Sequence, residues 1–133
     1  AIIPAGVVFQ IVNVAADKLY IDADIYYNGE YAATISDSVI ESINAYLEGL
    51  PADGTVEISA LQNAINDTPG VTDVKLNEVR ARQDSVAFAS ATVVYKLSTG
   101  VNLRIWNTVS ASMVEETTVG NTFADTLNFI AAS

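Results

Sequence analysis

The chain has 133 residues, half of them apolar and 17% charged, a globular composition of a size that fits one domain with one real core. It has no cysteine and no histidine, which excludes disulfides, thiolate metal sites and any serine or cysteine nucleophile activated by histidine. Six Lys and Arg stand against sixteen Asp and Glu, for a net charge of −10. The cations Lys18, Lys75, Arg80, Arg82, Lys96 and Arg104 are scattered, so neither nucleic acid nor an anionic membrane surface is an expected partner.

In chain order, "AIIPAGVVFQIVNVAA" is apolar, but it lacks a basic leader and is interrupted by Pro4 and Gly6, so it reads neither as a signal peptide nor as a membrane helix. Its second part, "GVVFQIVNVAA", has the β-branched content of a strand. The chain begins without Met, as a processed product or one domain of a larger protein would. In "KLYIDADIYYNGE", Leu19, Ile21, Ala23 and Ile25 alternate with Tyr20, Asp22, Asp24 and Tyr26, the period of a half-buried strand ending at an Asn-Gly turn. Then the period changes. Ile35, Val39, Ile40, Ile43, Leu47 and Leu50 recur at helical spacing, with Thr34 and Asp37 placed for a capping box and Gly49 and Pro51 placed to stop the helix. A second, shorter helix follows in "EISALQNAIND", with Ile58, Leu61, Ala64 and Ile65 on one stripe.

Pro69 and Gly70 punctuate the chain, and period two returns with Val74 and Leu76 opposite Lys75. Asn77 and Glu78 break that register as a bulge would. "SVAFASATVVYKL" reads as one long strand whose odd positions, Ala87 to Leu97, face a closely approaching helix. "STG" closes a hairpin into "VNLRIWNTV", with Val101, Leu103 and Ile105 on one face and Asn102, Arg104 and Trp106 on the other. Phe123, Leu127 and Ile130 predict a short C-terminal helix capped by Asn121 or Thr122. Two strands, two helices, three strands and a helix make a single α+β domain, 1–133, with an antiparallel or mixed sheet and two consecutive helices packed on one face.

Three constellations could carry chemistry. Asp22 and Asp24 lie on one side of a strand, roughly 7 Å apart, where two carboxylates can hold a divalent cation for phosphotransfer or hydrolysis. The stretch before them offers no phosphate-cradling turn, and a solvated sheet face is the plainer reading. Glu115 and Glu116 are adjacent, so their side chains point apart in an extended chain and read as a solvated loop rather than a glycosidase pair. Tyr95, Arg104 and Trp106 are the candidates for an interface, since exposed aromatics and arginine are enriched there. Trp106 with the tyrosines would equally serve a small carbohydrate-binding module, unless the C-terminal segment covers it. No catalytic, cofactor or metal residue is singled out.

The segment "VIESINAYLEGLPADGTVEISALQNAINDTPGVTDVKL" resembles the C-terminal region of baseplate J-like proteins of contractile-tailed phages and related injection systems. The matching pattern is Tyr46, Leu47 and Leu50, then Gly54, Val56, Ser59, Leu61 and Ile65, then Gly70, Val71, Asp73 and Val74. The likeness covers about residues 18–80, and residues 81–133 are not matched. It implies a structural part of the tail baseplate in the virion, made in the bacterial cytoplasm. It further implies no enzyme activity, no cofactor, and other tail or baseplate proteins as partners, with self-association as a further option.

Overall fold

The computed structural model describes residues 16–50, 54–108 and 112–131. The predicted strand over 6–16 lies almost wholly outside them, as does Pro51. The described elements are β1 (Asp17–Tyr27), α1 (Ile35–Glu48), β2 (Thr55–Glu57), α2 (Ile58–Asn66), β3 (Val71–Arg82), β4 (Thr92–Lys96) and β5 (Val101–Asn102), followed by β6 (Ile105–Asn107), β7 (Met113–Glu115), α3 (Phe123–Thr126) and β8 (Leu127–Ala131). The fold is α+β, with a mixed main sheet in the order β5-β4-β3-β1-β7. β8 also pairs with β1, while β2 and β6 form a separate small sheet.

β1 is the axis. It runs antiparallel to β3 from Lys18↔Arg82 to Tyr27↔Val71. Its other edge takes two short parallel strands, β7 along Asp17 to Leu19 and β8 along Ala23 to Tyr27. Between them the Ile21 carbonyl is met by the Thr126 hydroxyl. Leu19, Ile21, Ala23 and Ile25 are fully buried, facing Ile35, Val39, Ile43 and Leu47 of α1 and Leu61 and Ile65 of α2. The sequence alternation therefore marks the face that the helices cover. The expected bulge is present: Asp22 pairs with Glu78 and Ala23 with Leu76, leaving Asn77 as the extra residue.

The start of α1 differs from expectation in detail. Thr34 stands at the N-cap of α1, but its side chain caps no amide, so the box with Asp37 does not form. Its hydroxyl turns back toward the Tyr31 carbonyl instead. The start of α2 is capped from afar: the Ile58 amide donates to the Arg104 carbonyl at 2.9 Å, and the Glu57 amide to the Tyr46 hydroxyl at 3.1 Å.

The second half of the chain departs further. The long strand over 85–97 is only β4, preceded by a 3-10 turn at Phe88–Ser90. Its buried residue is Val94, at an even position, and Ala87 and Ala89 are exposed. The register shifts between Val79↔Tyr95 and Arg80↔Val93, so Val94 sits in a bulge and the alternation changes phase there. Gly100 closes the β4–β5 hairpin at φ 74° as expected. The strand after it is broken, because Arg104 adopts a left-handed φ of 73° that sends β6 to β2. Leu103 and Ile105 are consequently exposed, at 55% and 44%, and Trp106 turns inward. The C-terminal helix forms for one turn only. Asp125 accepts from the amide and hydroxyl of Thr122, and Leu127 onward joins the sheet as β8.

Thr68, Pro69, Gly70 and Val71 make the turn from α2 into β3, closed by the Val71 amide on the Thr68 carbonyl at 3.0 Å. Gly70 has φ 95°, and a Cβ built there would lie 2.6 Å from Cγ of Tyr31. Gly70→Val should therefore destabilise the fold by about 3 kcal/mol, combining left-handed strain with overpacking. Gly100→Ala, with φ 74° and nothing within 4 Å of the added carbon, should cost only about 1 kcal/mol. Urea unfolding followed by circular dichroism compares the two, and equal losses would contradict this reading.

Candidate functional site

The charged groups sort by position. Residues 19–74, which hold both long helices, carry no Lys or Arg. The outward face of α1 presents Asp37, Glu41 and Glu48 around Ile40 and Asn44. Every cation but Arg104 lies on a main-sheet strand.

On the outer face of the sheet, Tyr20, Asp22, Asp24 and Tyr26 of β1 stand opposite Arg80, Glu78, Lys75 and Asp73 of β3. Arg80 pairs with Glu78 and lies over the Tyr20 and Phe88 rings, at 5.8 and 5.5 Å from their centroids. The two rings meet at 5.2 Å. Burial raises the Tyr20 pKa, and the nearby Asp22 and Glu78 charges add to this against Arg80. Asp22 accepts from Asn77 Nδ2 at 3.4 Å and Asp24 from Asn128 Nδ2 at 3.1 Å. Each carboxylate of the candidate cation pair thus holds a neighbouring strand. Among the described residues, no group of three or more His, Cys, Asp or Glu is placed to hold a metal.

The adjacent glutamates do point apart, but they are not a solvated loop. Glu115 accepts the Phe123 amide at 3.0 Å, capping α3. Glu116 is 1% exposed. Its Oε1 and Oε2 accept from Arg82 Nε and Nη2 at 2.8 and 2.7 Å, a bidentate pair. The same carboxylate accepts the amides of Thr117 and Thr118 at 3.0 Å and the Thr118 hydroxyl at 2.7 Å. Arg82 also donates through Nη1 to the Val86 carbonyl at 2.6 Å. The clamp fastens the end of β3 to the chain leaving β7. A second inward acid is Asp17, fully buried at the start of β1, whose Oδ2 accepts from Trp106 Nε1 at 3.2 Å. No sequence pattern links Arg82 to Glu116 or Asp17 to Trp106, since both pairs are formed only by the fold.

The structure brings two of the three interface candidates together. Tyr95 and Arg104 line one groove with Ser59, Gln62 and Ile105. Arg104 makes no ion pair among the described residues. Trp106 is half-buried against the core and leaves that groove. It is packed beside β2 in the small sheet, which differs from an open stacking platform. No helix among the described residues is long and apolar enough to cross a membrane.

Compared with known families, residues 20–93 match the model described as Baseplate J-like protein C-terminal domain. The match runs from β1 through both long helices and β3 into β4. No curated protein and no solved structure matches the chain.

Burial opposes ionisation of Glu116, but the hydrogen bonds from Arg82 and Thr118 outweigh it and bring its pKa down to about 2. The Arg82 pKa is raised, first by that same hydrogen bond. A carboxylate with a depressed folded pKa contributes stability that is present above its unfolded value and is lost as pH falls through the folded one. The contribution, about 3 kcal/mol, should thus disappear between about pH 4.5 and 2. Urea unfolding from pH 7 to 2 should show a smaller loss for Glu116→Gln than for the parent over that window. Parallel curves would contradict the assignment.

Proposed function

Since the chain belongs to the family of baseplate J-like proteins, through their C-terminal domain, we propose that it is a structural part of a phage or prophage-derived tail baseplate, acting by protein-protein assembly rather than catalysis. The observation that carries this reading is the match over residues 20–93, which takes in β1 from Tyr20 onward and all of α1, β2, α2 and β3. The use of the carboxylates agrees with it. Asp22, Asp24, Glu115 and Glu116 each bind a strand, a helix end or a turn of the same chain.

Its location is then the tail baseplate, and its partners are other baseplate proteins. The net charge of −10 disfavours nucleic acid among them. Tyr95 and Arg104 are the residues we assign to partner contact, because they share a groove and Arg104 pairs with no carboxylate among the described residues. Trp106 is packed against the core and donates to Asp17.

The test is assembly. Removing the coding segment from the parent phage should give particles without complete baseplates in electron micrographs, and supplying the protein in trans should restore them. Arg104→Glu combined with Tyr95→Ala should restore them poorly while keeping the circular dichroism spectrum of the parent. Complete, infective tails formed in the absence of the protein would sink the proposal.

A further inference from the structure

Among the described residues, Arg104 is the one residue other than glycine with a positive φ, at 73°. That backbone carries a steric cost for any residue with a Cβ, and glycine escapes it. The backbone task of the position is to offer the Arg104 carbonyl to the Ile58 amide at the start of α2. Glycine would perform it as well. What arginine adds is its side chain, and within the described structure that side chain has no use. It is exposed and makes no ion pair, hydrogen bond or ring contact among the described residues. A strained residue whose side chain serves nothing internal points to a role outside the fold. The guanidinium borders a groove of about 530 Å³ together with Ser59, Gln62 and Ile105. A second hollow of the same size adjoins it through Gln62 and Tyr95 and adds Leu97. Ile105 and Leu97 are both exposed, so the joined trough offers two large apolar side chains beside one unpaired cation.

We infer that Arg104 anchors a segment of a different tail protein, one that carries an aspartate or glutamate beside large apolar residues. The inference rests on the assembly role proposed above and specifies the chemistry of the partner. The partner's carboxylate accepts from the guanidinium, whose planar fork suits two parallel hydrogen bonds. Its apolar neighbours lie along the trough against Ile105, Tyr95 and Leu97, where contact excludes water from the charge pair. Glu57 also borders the groove, yet it forms no ion pair with Arg104 and its side chain does not cap α2. The guanidinium is thus open to an outside carboxylate. A second copy of the chain is the poorer occupant, because two bodies of net charge −10 repel each other.

Arg104→Gly separates the anchor from the backbone, since it removes the guanidinium and keeps both the φ and the carbonyl that caps α2. Phage lacking the coding segment and supplied with the variants in trans reads the outcome in electron micrographs. Arg104→Gly should lower the yield of complete baseplates about tenfold or more, although it unfolds at no lower urea concentration than the parent. Arg104→Lys keeps the charge without the fork and should fall between the two. Arg104→Gln, which leaves the backbone strain as it is, carries the test if the glycine variant proves less stable. Phage selected to assemble with Arg104→Glu should carry, in another tail protein, a neutral or basic residue in place of an Asp or Glu. Parental yields from folded Arg104→Gly or Arg104→Gln would overturn the inference and leave the assembly role standing, because that role fails only if tails form without the chain. Suppressors confined to this chain would overturn it too. So would self-association of the purified chain in sedimentation velocity that Arg104→Gly abolishes, which would make a second copy the occupant.

Discussion

The antiparallel pairing of β1 with β3 is the contact on which the other elements depend. It joins residues 44 to 64 positions apart, so the intervening chain must close a large loop before the pair is formed. That chain is α1, β2 and α2, and their apolar stripes make the closure favourable by covering Leu19, Ile21, Ala23 and Ile25. The Asn77 bulge lies inside this pairing and lets both strands keep their apolar sides inward along its length. β7 and β8 add to an edge that already exists, and β4 does the same on the opposite side.

The first half of the fold was legible because its signals are local. Leu19 to Ile25 have one period, Ile35 to Leu47 another, and Pro69-Gly70 marks the change between them. The bulge at Asn77 was visible as a break in alternation. The second half was less legible for a physical reason. A bulge at Val94 and a left-handed residue at Arg104 reverse the phase of alternation without any glycine or proline to announce it. β2, β7 and β8 are short, and two of them are parallel to a strand at the far end of the chain, so no hairpin signal could point to them. Of the three interface candidates, Tyr95 and Arg104 converge on one groove. Trp106 does not, because β2 takes its strand into the small sheet.

The left-handed Arg104 has an internal use that stands apart from its guanidinium. Its carbonyl accepts the first amide of α2, satisfying a donor that the helix leaves unpaired. Strain at one residue is thereby offset by a cap on an entire helix, and the side chain lines the groove with no ion pair among the described residues. The buried Arg82–Glu116 pair follows a different logic. A charge pair withdrawn from water gains little over apolar packing, but leaving either partner alone is costly. It therefore acts as a condition on how β3 and the turn after β7 come together: both must arrive, or neither can be buried.

The charge layout has a chemical corollary. Lys18 and Lys75 are consecutive cations along the chain, and α1 and α2 lie wholly between them. Trypsin cleaves after Lys or Arg and lysine-directed cross-linkers need Lys, so both pass over the helical layer and act on the strands and their loops. A digest leaves the residues from Leu19 to Lys75 as one fragment that carries both long helices intact. Amine cross-links to a neighbouring protein would likewise report only on the sheet side, and contacts made by the helices would need carboxylate-directed reagents to be seen.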